Sequence, residues 1–193
     1  MDHTLFSEIL LKLKEKAAGK PGPAILAIDG RCASGKSTLG QQLAAAWHSD
    51  LLHMDDFFLR PEQRTPERFA TPGENVDHER FLKEVLKPLR AGIPFDYRPY
   101  RPHEGRYEEA VRIIPGRIAV IEGSYACHPE LRDCYDLKLF LDVDPEEQMR
   151  RIRARSDPEI AEAFRNKWIP LEELYFDSLN VREVCDIIIE NNE

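Results

Sequence analysis

Leu5, Ile9, Leu10 and Leu13 recur at helical spacing within an otherwise charged stretch, which predicts an amphipathic helix at the start of the chain. Gly19, Pro21, Gly22 and Pro23 stop it, and the apolar run that follows, Ala24 to Ile28, reads as a buried strand. Four more short apolar runs have the same character: Leu51 to Met54, Ile118 to Ile121, Leu137 to Leu141 and Cys185 to Ile189. Between them lie segments of helical composition. Ser37 to Trp47 is one. Asp77 to Ala91, with Phe81, Val85, Leu86 and Leu89 on one side, is a second, expected to bend or end near Pro88. Pro145 to Arg155 reads as a basic helix, and Pro158 to Asn180 as further helix with a break at Pro170. Pro61, Pro66, Pro72 and Gly73 make Arg60 to Asn75 an irregular loop over the sheet rim. Short strands alternating with helices imply an α/β fold with a parallel, doubly wound sheet flanked by helices. A chain of 193 residues, 42% hydrophobic, is long enough for one substantial core and too short for two ordinary domains. A single domain over 1–193 is expected, with a small lid at about 150–170.

The first strand runs into Gly30-Arg-Cys-Ala-Ser-Gly35-Lys36-Ser37, a match to GxxxxGK[S/T] with a strand before it and a helix after it. Glycines let such a loop curl so that successive amide hydrogens point at phosphate oxygens, and the helix adds its positive end. The expected nucleotide contacts are Gly30, Ala33, Ser34, Gly35, Lys36, Ser37 and Thr38. Lys36 is expected on the β and γ phosphates of ATP and the Ser37 hydroxyl on Mg2+. The loop alone leaves the phosphate acceptor open.

Asp55 and Asp56 follow the second strand run, at the sheet edge where ligands of open α/β folds gather. A carboxylate there can take the proton of an attacking hydroxyl or orient magnesium water, and the two neighbours compete for that role with helix capping as the plain alternative. Glu122 closes the run Ile118 to Ile121 as a second acid at a strand end, placed to order a magnesium shell beside Ser37.

The formal charge of -8 argues against nucleic acid or an anionic membrane as partner. No run reaches the roughly 18 apolar residues needed to span a bilayer. The four cysteines, Cys32, Cys127, Cys134 and Cys185, show no metal or disulfide spacing, so a reducing cytoplasm fits them. Cys32 lies inside the phosphate loop, where the positive field could act on a thiol. A homo-oligomer is compatible with these features.

His53-Met-Asp-Asp-Phe-Phe58 and Ile118-Ala-Val-Ile-Glu122-Gly123 resemble elements of the uridine kinase and phosphoribulokinase family of P-loop kinases. The resemblance implies a P-loop NTPase fold and a phosphotransferase acting on an alcohol group, with Asp55 as catalytic base and as a group near the metal. The paired acids and phenylalanines look particularly like nicotinamide riboside kinases. Asn75-Val-Asp77-His78 looks like the element whose aspartate holds ribose hydroxyls, a task suited to two acceptor oxygens. Asp77 can equally cap the helix after it, and the two roles are compatible. Ile93 to His103 resembles the substrate hairpin of uridine kinases, with Tyr97 and His103 nearest to its base-contacting residues; its plain alternative is a proline-rich surface loop. Arg151 and Arg155, four apart on the basic helix, stand where the family's lid arginines reach the phosphates. The acceptor so implied is a small molecule, the 5'-hydroxyl of a nucleoside of the uridine or cytidine type. Nicotinamide riboside, pantothenate or a sugar phosphate are alternatives within the same chemistry, and a regulatory ATPase module is the alternative of another class.

Overall fold

The computed structural model describes residues 3–192, so the outermost positions of the domain expected over 1–193 lie outside the described residues. In chain order the elements are α1 (His3–Ala17), β1 (Ala24–Gly30), α2 (Lys36–Trp47), β2 (Asp50–His53), α3 (Pro66–Ala70), α4 (His78–Phe81), α5 (Lys87–Ala91) and β3 (Phe95–Tyr97). There follow β4 (Tyr100–Arg101), β5 (Arg106–Tyr107), β6 (Val111–Ile113), β7 (Ile118–Glu122), α6 (Pro129–Arg132), β8 (Leu137–Asp142), α7 (Pro145–Arg155), α8 (Pro158–Ala163), α9 (Ile169–Ser178), α10 (Val181–Val184) and β9 (Ile187–Glu190). The five apolar runs become one parallel sheet in the order β2-β7-β1-β8-β9.

Alternation along the strands sorts the core into two layers. Ile25 and Ala27 of β1, Ala119 and Ile121 of β7 and Phe140 of β8 face a cluster built with Phe57, Phe81, Val85, Leu89 and Tyr175. Leu26, Ile28, Val120, Leu137, Leu139 and Leu141 face the other way, onto Ile9 and Leu13 of α1 and Leu39 and Leu43 of α2. The inner strands β7, β1 and β8 are thus covered on both faces, which is why they carry almost no polar side.

Neither proline breaks its helix. The chain passes through Pro88 and Pro170 because a π-helical turn precedes each, Leu82–Leu86 and Phe164–Trp168. Lys87 N–H reaches back five residues to the Leu82 carbonyl, and Ile169 N–H to that of Phe164. The wider turn absorbs the donor that proline lacks and relieves the clash of its ring with the preceding turn. The predicted hairpin segment forms two small antiparallel pairs, β3 with β6 and β4 with β5, outside the main sheet. The predicted irregular loop at 60–75 contains a 3-10 turn, Pro61–Gln63, and α3. Among the described residues no helix is long and apolar enough to cross a membrane.

Candidate active site

β1 delivers the chain to the phosphate loop at the carboxyl edge of the sheet. Gly30 has φ +133°, and a Cβ there would lie 2.0 Å from the Leu141 carbonyl oxygen, so β8 excludes any side chain. Lys36 is buried, and its Nζ donates to the carbonyls of Gly30 at 2.7 Å and Arg31 at 2.8 Å, which holds the ammonium within the loop. Lys36, Ser37 and Thr38 form the first turn of α2, where amide hydrogens have no helical acceptor. The earlier loop amides are spent inside the protein. Gly30 N–H donates to Asp29 Oδ1 at 2.7 Å, Cys32 N–H to Glu172 Oε2 at 2.9 Å and Ser34 N–H to the Arg31 carbonyl at 3.2 Å. In this structure the Gly30 and Ser34 amides thus face protein acceptors, whereas those of Ala33, Gly35, Lys36, Ser37 and Thr38 are not so engaged. Ser34 Oγ, by contrast, is buried with no hydrogen-bond partner.

His53 and Glu122 are register partners at the ends of β2 and β7. Glu122 is buried; its Oε2 accepts from Ser37 Oγ at 3.0 Å and its Oε1 pairs with His53 Nδ1. That bond to Glu122 holds the His53 pKa above its ordinary value against the opposing effect of burial. Gly123, at φ +140°, lets Met54 pack where a Cβ would come within 2.7 Å of it, so the end of β7 lies directly against the 3-10 turn Met54–Phe57.

That turn sends its two acids in different directions. Asp55 remains accessible to solvent, yet it is hemmed in by protein. Burial and the Glu122 charge raise its pKa, while Lys36 and His53 pull it down. An accessible carboxylate under the repulsion of a second one, beside a serine hydroxyl, is an oxygen-donor set that fits Mg2+. Asp56 is buried, accepting from Tyr97 Oη at 3.1 Å and Arg101 Nη1 at 3.1 Å. Its carboxylate oxygens are both engaged, whereas those of Asp55 are left open.

Asp77 N–H donates to the Phe57 carbonyl at 2.8 Å, which ties it to the same turn. Its Oδ1 caps α4 by accepting from Arg80 N–H at 3.2 Å. Its Oδ2 is buried without a hydrogen bond, the nearest cation being Arg60 Nη2 at 3.7 Å. Tyr97, an expected substrate contact, has its hydroxyl committed to Asp56 and its ring buried against Phe57. His103, another, is exposed in the turn between β4 and β5.

On α7, Arg151 donates to the carbonyls of Ala33 at 3.2 Å and Asn191 at 2.8 Å and pairs with Glu147 at 2.7 Å. Arg155 is exposed at the last position of the helix, so four-residue spacing does not bring it to the same contacts. Cys32 packs with Ile152 of α7 and Ala161 of α8 in a small separate cluster, so the segment expected to be a lid rests on the phosphate loop. Burial and the Glu172 carboxylate push the Cys32 thiol up, which keeps it protonated despite the loop's positive field.

Four residues around the site escaped the sequence reading. His53 is one. Asp29 is fully buried and accepts from Gly30 N–H, Cys127 N–H at 2.7 Å and Tyr175 Oη at 2.8 Å; burial raises its pKa. Glu172, on α9, accepts from Cys32 N–H and from Ser124 Oγ at 2.6 Å and so spans the phosphate loop and the loop after Glu122. Glu172 and Tyr175 are three apart and share a helix face, a pattern of two polar groups on a buried side that the sequence does display.

No family model matches the chain. It is 28% identical over 189 residues to a uridine kinase of Bacillus licheniformis, an alignment covering 86% of this chain and 85% of that protein. It is 28% identical over 162 residues to uridine kinase-like protein 5 of Arabidopsis thaliana, covering 78% of this chain; the chain spans about a third of that relative, 34% of its length. Among solved structures it superposes on one described as a possible uridine kinase from Bacillus stearothermophilus with a TM-score of 0.69 and 22% identity, covering 96% of this chain and 99% of the other. These likenesses bear out the resemblance to uridine kinases, the doubly wound P-loop kinase fold and the expectation of a phosphotransferase with an alcohol acceptor.

Proposed function

We propose that this protein transfers the γ-phosphate of ATP to the 5'-hydroxyl of a ribonucleoside in a reducing cytoplasm, with Mg2+ at Ser37, Glu122 and Asp55. One juxtaposition carries the reading. The turn Met54–Phe57 holds an open carboxylate, Asp55, beside Lys36 and Glu122, and the same turn's Phe57 carbonyl anchors Asp77, which keeps an unspent buried oxygen. A base next to the phosphate loop and an unspent acceptor anchored to the same turn are what a ribose with a reacting 5'-hydroxyl requires.

MgATP, when bound, supplies the phosphoryl group and the metal's neutralising charge. Lys36 gives up its two carbonyl partners to meet phosphate oxygens. Asp55 accepts the proton of the attacking hydroxyl on a carboxylate oxygen. Asp77 Oδ2 accepts from the ribose hydroxyls, and Arg151 braces the loop. The relatives named as uridine kinases support this acceptor class.

The test is ADP release from MgATP with uridine, cytidine, nicotinamide riboside, pantothenate and sugar phosphates, beside a control without acceptor. A nucleoside is expected to stimulate release, and Asp55→Asn to lower the stimulated rate by about 10²–10⁴-fold. Slow release that no compound stimulates would favour the regulatory ATPase instead.

A further inference from the structure

Asp56 is an acidic side chain only 6% exposed, one residue from the proposed base, and it is turned toward Tyr97 and Arg101. It joins three elements. Its backbone belongs to the turn that carries Asp55, Tyr97 reaches it from β3, and Arg101 reaches it from β4. Burial and the Asp56 charge push the Tyr97 phenol up, so that hydroxyl stays a donor. The surrounding contacts reinforce the joint. Phe57 stacks on Tyr97 with ring centres 5.5 Å apart, and the Arg80 guanidinium lies 4.2 Å over the Phe57 ring and 5.0 Å over that of Tyr107 on β5. Arg101 is held from its other side by Glu108 at 2.8 Å.

We propose that Asp56 is a positioning residue that couples the β3–β6 and β4–β5 arm to the base, so that the placement of the arm and the aim of Asp55 are fixed together. The two consecutive acids then have distinct tasks: Asp55 touches the acceptor, and Asp56 holds Asp55 in place through the arm. An acceptor seated against the arm is thereby presented to a base already aimed at it. The kinetic part of this inference rests on the nucleoside kinase reading; the mechanical part does not.

Two measurements on full-length protein separate them. In the first, hydrogen exchange is followed in Asp56→Ala and in the conservative Asp56→Asn, whose side-chain oxygen still accepts from Tyr97. Asp56→Ala is expected to lower protection together in 54–58 and in 95–107, and Asp56→Asn to restore most of it. Loss confined to 54–58 would overturn the coupling, whether or not any acceptor is known. In the second, kcat and KM are measured for the nucleoside that the wild type phosphorylates. A misaimed base loses turnover more than binding, so Asp56→Ala is expected to lower kcat by about 10–100-fold with the KM for MgATP unchanged. Tyr97→Phe is expected to do part of the same, and the double variant to be no worse than Asp56→Ala, since both cut one joint. Full additivity of the two changes, or a kcat equal to wild type in Asp56→Ala, would overturn the inference. A wild type that phosphorylates no nucleoside would overturn the acceptor reading alone, and the exchange pattern would still decide the coupling.

Discussion

Glu172→Ala is the substitution whose cost can be worked most fully from the structure. Glu172 is 5% exposed and holds two donors from segments far away in sequence, the Cys32 amide at 2.9 Å and the Ser124 hydroxyl at 2.6 Å. Hydrogen bonds to a charged group are worth about 1.5–3 kcal/mol each, so losing both costs about 3–6 kcal/mol. Ser124 can rotate its hydroxyl to another acceptor, whereas the Cys32 amide is fixed by the loop, which places the expected value near the lower end, at about 3 kcal/mol. Glu172→Gln behaves differently. Its carbonyl oxygen can face Cys32 N–H while its amide nitrogen donates to Ser124 Oγ, so both contacts survive without the charge and the cost falls to about 1 kcal/mol. Urea unfolding of the two variants measures the difference, and the KM for MgATP reports whether the loop loosens, rising in Ala and little changed in Gln. An alanine variant within about 0.5 kcal/mol of wild type would refute the claim that Glu172 braces the phosphate loop.

Other outcomes follow from single sites. His128 is buried against the parallel ring of His78, with centres 4.0 Å apart, and its Nδ1 accepts from Glu130 N–H. Burial, aided by His78, lowers its pKa to about 4. Between that value and its ordinary 6.5 the unfolded chain binds a proton that the folded protein refuses, so His128 takes stability away as pH falls, by about 2 kcal/mol at pH 5 relative to neutral. His128→Asn, which keeps the cap but cannot titrate, should flatten that part of a stability-against-pH curve measured by urea unfolding; an unchanged slope would contradict it. Asp136 has a fully buried side chain that accepts from Arg90 at 2.6 and 2.9 Å, from Lys20 at 2.9 Å and from Ile25 N–H at 2.9 Å. Asp136→Ala leaves these donors without their acceptor and should cost about 3–5 kcal/mol in thermal or urea unfolding, with no change expected in the KM of the folded fraction. Asp77→Ala should raise the KM for a ribonucleoside and shrink the preference for uridine over 2'-deoxyuridine, read as the ratio of the two kcat/KM values; a preserved ratio would remove Asp77 from the diol.

The sheet and the phosphate loop were legible in the sequence because each depends on local pattern. A short apolar run between helical segments becomes a strand of the parallel sheet, inner or edge, and a glycine loop between strand and helix carries its pattern within eight residues. The rest of the site depends on distant partners. Cys32 and Glu172 are 140 positions apart, and Asp29 and Tyr175 are 146 apart, so no local spacing links them. Pro88 and Pro170 read as breaks because the π turns that carry the helices through them have no sequence signature as strong as proline itself. Spacing alone did not separate the two acids after β2, and only the resemblance pointed to Asp55; the physical difference lies in Tyr97 and Arg101 folding over Asp56. The same contact takes up the Tyr97 hydroxyl, which the sequence does not display.

The central claim is a transfer from ATP to a 5'-hydroxyl. The most direct measurement is a single-turnover reaction with enzyme in excess over ATP, run with uridine, with 5'-deoxyuridine and with no acceptor, and analysed by mass spectrometry and phosphorus NMR. The expected result is uridine 5'-monophosphate formed one for one with ADP, and no burst of ADP in the other two reactions. Release of ADP at the same rate in all three, with no phosphorylated nucleoside, would contradict it.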